Sequence, residues 1–172
     1  MLEIDKLSKE TVYNIMLKQL LAAYYHKFTL VNFIETHNPE LSEGQEIMKL
    51  IEDYVAYEAK GLSGSLNIPL DSIDNLVKLL KVSHWAILES CEIEKLTDTS
   101  CRMRIIGCST QKSADKWYGK EFKCATPTMA ALRGFCRQSD KSIQINPVFS
   151  PFQDRPEGAP ENVSCEWIFS IV

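Results

Sequence analysis

The sequence predicts an α+β fold, an N-terminal helical layer packed on a small, mostly antiparallel sheet of about four strands. Three observations lead there. Apolar residues recur at three- and four-residue spacing up to about residue 82. Beyond that point the period shortens to two, and a Thr97-Asp98-Thr99-Ser100 turn folds one extended run back on the next. No linker or internal repeat divides the chain, so residues 1–172 read as one domain with a helical half (1–82) and a sheet-containing half (83–172).

The first helix opens at Ser8, a natural N-cap, and carries Val12, Ile15, Met16, Leu20, Ala23, Tyr24, Phe28 and Val31 on its apolar side. It runs to His37-Asn38-Pro39, as one helix or as two with a break near Lys27-Phe28-Thr29. A capping box, Ser42 with Gln45, starts the second. Its stripe of Ile47, Leu50, Ile51, Tyr54, Val55 and Glu58 is expected to stop at Gly61. After a loop from Leu62 to Leu70, Asp71 or Ser72 caps a short helix with Ile73, Leu76, Val77 and Leu80 inward.

Trp85, Ile87, Glu89, Cys91 and Ile93 alternate with Ala86, Leu88, Ser90 and Glu92, which predicts an extended strand opened by His84. Cys101 to Cys108 forms its hairpin partner. A helix over about Gln111–Tyr118 ends at Gly119, and another starts at Thr126-Pro127 with Met129, Leu132 and Cys136 inward. Ser142–Phe149 and Val163–Val172 complete the sheet, Cys165, Trp167, Phe169 and Ile171 sharing one face of the last strand.

Composition narrows the function classes. Hydrophobic residues make up 45% and charged residues 24% of the chain, ordinary globular values. A net charge of −4 argues against a phosphate-tracking surface, so no nucleic-acid partner is expected. No apolar run is long enough for a membrane helix, and Met1 to Lys6 lacks the pattern of a signal peptide. A cytoplasmic setting with reduced thiols is the expectation. Walker, dinucleotide-glycine, G-x-S-x-G and H-E-x-x-H motifs do not occur.

The six cysteines all lie between positions 91 and 165. Cys91, Cys101 and Cys136 fall where small core hydrophobes belong. Cys108 ends a strand just before a helix start, and Cys124 precedes another with Lys120 and Lys123 nearby, settings in which a helix dipole favours a thiolate. His84, beside Trp85, is the histidine considered as a base, while His26 and His37 read as helix-surface and helix-end residues. Glu92 and Glu94 share a strand face without forming a clean catalytic pair. Arg102, Arg104, Lys112 and Lys116 are cations that could draw an anionic ligand toward Cys108; Arg102 and Arg104 alternate onto one face and could simply be the wet face of a hairpin. Trp85, Trp117, Tyr118 and Trp167 are candidates for an apolar pocket wall as well as for the core.

Ile106-Gly107-Cys108-Ser109-Thr110, the short helix ending at Gly119, Cys124, Ile143-Gln144-Ile145-Asn146-Pro147 and Cys165-Glu166-Trp167-Ile168-Phe169 together resemble the L-2-amino-thiazoline-4-carboxylic acid hydrolase-like family over about residues 100–172. Ile168 and Ile145-Asn146-Pro147 depart from the hydrolase branch at positions suited to a substrate carboxylate, so the chain looks closer to the family's uncharacterised branch. The resemblance implies opening of a cyclic C=N or amide-type bond in a small nitrogen- or sulfur-containing acid. Cys108, Cys124 and His84 would then be catalytic, and Arg102, Arg104, Lys123 and Trp167 would hold substrate. Cys108, Cys124 and Cys165 could instead converge on zinc. The alternative to an enzyme is a non-catalytic small-molecule or metal-binding sensor module. Long amphipathic helices near the N-terminus also suggest a homodimer.

Overall fold

A computed structural model describes residues 6–38, 40, 44–119 and 121–172, with the side chain of Tyr24 left aside. The expectations at Met1–Asp5, Pro39, Ser42 and Lys120 lie outside the described residues. Chain order is α1 (Lys9–His37), α2 (Gln45–Leu66), α3 (Ile73–Leu80), α4 (His84–Leu88), β1 (Ser90–Thr97), β2 (Ser100–Gly107), α5 (Ser109–Trp117), α6 (Ala125–Cys136), β3 (Ile143–Phe149) and β4 (Cys165–Ile171). The α+β architecture is the one the periodicities predict.

α1 is one continuous helix, capped by Ser8, whose Oγ accepts the Thr11 amide at 3.1 Å. No break occurs at Lys27-Phe28-Thr29, because Phe28 is fully buried there and packs edge-on against Phe122. The expected inward stripe does not hold along its N-terminal half. Val12, Ile15 and Met16 are exposed, and no described residue from Lys9 to Ala23 is buried.

α2 passes through Gly61 instead of ending at it, and stops at Asn67, whose φ of 53° supplies the left-handed C-cap. Its buried side is Val55, Ala56 and Ala59, whereas Leu50 and Tyr54 of the expected stripe face outward. That rotation follows from how closely α2 crosses α6. A Cβ on Gly134 would stand 2.1 Å from the carbonyl oxygen of Glu52, so only glycine allows the crossing. α3 is capped by Ser72 and buries Ile73, Leu76, Leu79 and Leu80.

The strand expected to begin at Trp85 starts later. Residues 84–88 form the short helix α4, because Ser83 hydrogen-bonds back to the Leu80 carbonyl at 2.7 Å and Glu58 accepts the His84 amide at 2.8 Å. His84 therefore opens a helix, not a strand. Beyond it the hairpin forms as expected, with Ile93 opposite Met103. The sheet order is β1-β2-β4-β3, antiparallel throughout, so Pro147 sits on an edge strand where its missing N–H is tolerated.

α5 begins two residues earlier than periodicity suggests, with Cys108 as its N-cap, and Gly119 ends it at φ 72°. α6 likewise begins at Ala125, and Pro127 falls in the first turn, where its missing N–H leaves no helical bond unmade. The inner sheet face (Ile93, Cys101, Met103, Ile105, Cys165, Trp167 and Phe169) meets α2, α3, α4 and α6 in one core drawn from both halves. On the outer face Glu166 is buried beneath ion pairs with Arg104 at 2.6 Å and Arg102 at 3.8 Å. No helix among the described residues is long and apolar enough to cross a membrane.

Candidate functional site

Gln111, the third residue of α5, gathers the two cysteines that stand at helix starts. Its backbone N–H donates to Cys108 Sγ at 3.4 Å. Its side-chain Nε2 donates to Cys124 Sγ at 3.4 Å and to the Phe122 carbonyl at 2.8 Å. The N-terminus of α5 is thereby tied to the start of α6. Cys165 joins from β4, where its sulfur accepts the Trp167 indole N–H at 3.4 Å and feels both other thiols.

Two charged residues complete the cluster. Glu89, buried at the end of α4, accepts from the Ser109 hydroxyl at 2.8 Å and from the Ser109 backbone N–H. Lys27 descends from α1 with its Nζ 5.4 Å from the Phe122 ring centroid, close enough to interact electrostatically with Cys124, Cys108 and Glu89. Although Lys27 as a residue is only half-buried, its ammonium end lies deep.

Burial moves every titrating group here toward neutrality. Desolvation lowers the Lys27 ammonium below the ordinary lysine value, against the pull of the thiols and Glu89. Desolvation also raises Glu89, against the bonds from Ser109 and Thr110. The Cys108 thiol is pushed up to about 12 by burial and then by Glu89. Cys124 is raised by burial as well, but Gln111, its own backbone amide, Lys27 and Thr128 oppose the shift. Burial takes Cys165 to about 12. The thiolate favoured by a helix dipole is thus not the resting state, because desolvation outweighs the dipole.

Cys108 and Cys124 come together through Gln111, a point the sequence leaves open, and Cys165 lies within electrostatic reach. Among the described residues no group of three or more His, Cys, Asp or Glu side chains is arranged to hold a metal ion. The three remaining cysteines behave as core residues, with Cys101 and Cys136 buried, Cys91 half-buried, and each held near 12 by burial.

The expected cations are elsewhere. Arg102 and Arg104 lie on the outer sheet face, Arg102 paired with Glu94 and both with Glu166. Alternation sends their neighbours Cys101, Met103 and Ile105 to the core, so the two arginines point away from the cysteines. Lys123 is exposed. His84 Nδ1 meets Glu58 Oε2 at 2.6 Å, and the histidine bears electrostatically on Glu89. Trp167 is buried and lines a cavity of about 340 Å³ beside Met129, Thr126 and Arg133, between α2, α6 and the sheet.

Lys27, Glu89, Ser109 and Gln111 were not among the predicted site residues. Two signals pointed to them. Lys27 stands seven residues after Leu20 and four before Val31, within the apolar stripe of α1. Gln111 stands three residues after the N-cap Cys108, the capping-box position for a returning side chain.

A family model matches residues 5–171, nearly the whole chain. The chain belongs to DUF6125, a family of unknown function. No curated protein and no solved structure matches it. Membership in DUF6125 assigns no activity, so chemistry has to be argued from the cluster.

Proposed function

We propose that the chain is a small hydrolase-like protein that opens a C=N or amide-type bond in a small nitrogen- or sulfur-containing acid at the cluster around Gln111. The observation that carries this reading is the convergence of Lys27, Glu89, Cys108 and Cys124 from separate segments around the first turn of α5: the two thiols on Gln111, Glu89 on Ser109, and Lys27 within electrostatic reach of all three. An ammonium and a carboxylate displaced in opposite directions in one buried place are what proton-transfer sites require.

Lys27 replaces Arg102, Arg104 and Lys123 as the cation for a substrate carboxylate. Glu89 in its ionised form takes a proton from water as the water oxygen bonds to the C=N carbon. The C=N electron pair moves to nitrogen, which takes that proton from Glu89. Glu89 then removes the proton of the new hydroxyl as C=O forms, the C–N single bond breaks with its electron pair on nitrogen, and Glu89 passes the proton to the departing amine. Cys108 and Cys124 stay protonated and shape the site as weak donors and soft contacts; neither serves as a thiolate nucleophile. Six unpaired thiols support a reducing, cytoplasmic setting.

The second reading is a non-catalytic small-molecule sensor, favoured by one observation. Glu89 already accepts two bonds from Ser109, an arrangement that also serves simply to cap α5. Incubation with 2-amino-thiazoline-4-carboxylate and related cyclic amidines, read by mass spectrometry, separates the two. Addition of one water by the wild type but not by Glu89→Gln supports the hydrolase. Binding without conversion, lost in Lys27→Met, supports the sensor. No binding by the wild type overturns both.

A further inference from the structure

α1 carries an apolar surface that the other described residues do not cover. Its recorded ring contacts with the body are made by residues 25 and 28, against Trp117, Tyr118 and Phe122. The preceding four turns present Val12, Tyr13, Ile15 and Met16 to solvent, and Leu30 and Phe33 are exposed beyond the anchor. At about 1.5 Å per residue, Lys9 to Ala23 forms an arm of roughly 20 Å with no buried residue. An isolated helical segment of that length is marginal in water, so something should cover it.

A second uncovered face lies on α2. Leu50, Tyr54 and Tyr57 are 67%, 67% and 79% exposed and follow one another at three- and four-residue spacing. Gly61 and Gly64 continue the exposed side of the same helix, with open space where a Cβ would stand. Aromatic side chains present roughly 150–250 Å² each, so the two faces together expose several hundred Å² of apolar area. That approaches the roughly 800 Å² which each partner contributes to a standard interface, and exceeds scattered surface apolarity. The charges also match. The α1 arm carries Lys9 and Lys18 against Glu10, and α2 four carboxylates against two lysines.

We propose that a second copy of this chain covers both faces: α1 of each protomer lies along the Leu50–Tyr54–Tyr57 face of α2 in the other. One chain bears both halves of the contact, so a two-fold axis satisfies them reciprocally and closes the assembly as a dimer. Lys27 and the Phe28 anchor lie on the same helix, one to two turns beyond the arm. The contact therefore also steadies the residue that brings positive charge to the cysteine cluster.

Sedimentation equilibrium of the full chain tests this. The wild type should be a dimer at about 10 μM, and Ile15→Glu and Tyr54→Glu should each raise the dissociation constant at least 100-fold. Both positions are exposed, so both variants should keep the wild-type circular dichroism. Mixing the two variants should restore a heterodimer, since the intact α1 of one then meets the intact α2 of the other. A wild-type monomer at 100 μM overturns the proposal. So does a dimer unaffected by either substitution, or a mixture of the two variants that stays monomeric.

Discussion

Glu89 grips Ser109 at two points, one carboxylate oxygen accepting from the hydroxyl at 2.8 Å and the other from the backbone N–H. This clamp joins the end of α4 to the first turn of α5 and satisfies an amide that no helical bond could reach. It also fixes where Cys108 and Gln111 stand, and so builds the cluster from its floor upward. Structural and chemical roles coincide in one carboxylate.

Because folding raises the Glu89 pKa, the native state holds its proton more tightly than the unfolded state does. Stability from this group is fully present at low pH and is lost as pH rises from the ordinary carboxyl range through the raised native value. Denaturant unfolding of wild type and Glu89→Gln between pH 4 and 8 checks the sign. The wild type should lose stability relative to the variant as pH rises, and a pH-independent difference would contradict the burial argument. Glu89→Ala should cost about 1–3 kcal/mol at pH 4, because the Ser109 amide loses its partner, and less as pH rises.

Thiol labelling should follow the electrostatics. With Cys91, Cys101, Cys108, Cys136 and Cys165 held near 12, iodoacetamide at pH 7 should modify native protein slowly. Cys124, whose rise is opposed by Gln111 and Lys27, should gain reactivity at lower pH than Cys108. Lys27→Met should move the Cys124 profile to higher pH and leave that of Cys101 unchanged, measured site by site by mass spectrometry. An unchanged Cys124 profile would remove Lys27 from the cluster.

The glycines of α2 and α6 should respond in opposite directions. Gly134→Ala forces a Cβ into the Glu52 backbone, and the helices must separate at a cost of about 3 kcal/mol. Gly61→Ala adds a methyl in open space within a helix and should stabilise by about 0.5–1 kcal/mol. Calorimetry should show Tm falling in the first variant and rising by a few degrees in the second. Equal effects would mean that the close crossing of α2 on α6 is not what Gly134 provides.

The fold was legible where pattern and burial agree. The Ile93–Met103 hairpin, the shared face of Cys165, Trp167 and Phe169, and the Ser8 and Ser72 caps all follow from local chemistry. α4 was not legible, because the Trp85–Ile93 alternation is set aside by a cap from Glu58, 26 residues away in sequence. Nor was the exposure of Leu50 and Tyr54 on α2, which depends on Gly134 in α6. The site divided in the same way. Cys108 and Cys124 announced themselves by standing before helix starts, whereas Glu89 and Lys27 acquire their roles only through long-range packing.

The proposed role of the Lys27–Glu89–Gln111 cluster is to receive a small acid. The most direct measurement is isothermal titration of 2-amino-thiazoline-4-carboxylate into wild type, Lys27→Met and Gln111→Ala. Saturable one-to-one binding to the wild type is predicted, weakened at least tenfold by Lys27→Met and less by Gln111→Ala. Binding that is equally strong in Lys27→Met would place the ligand elsewhere and contradict the account.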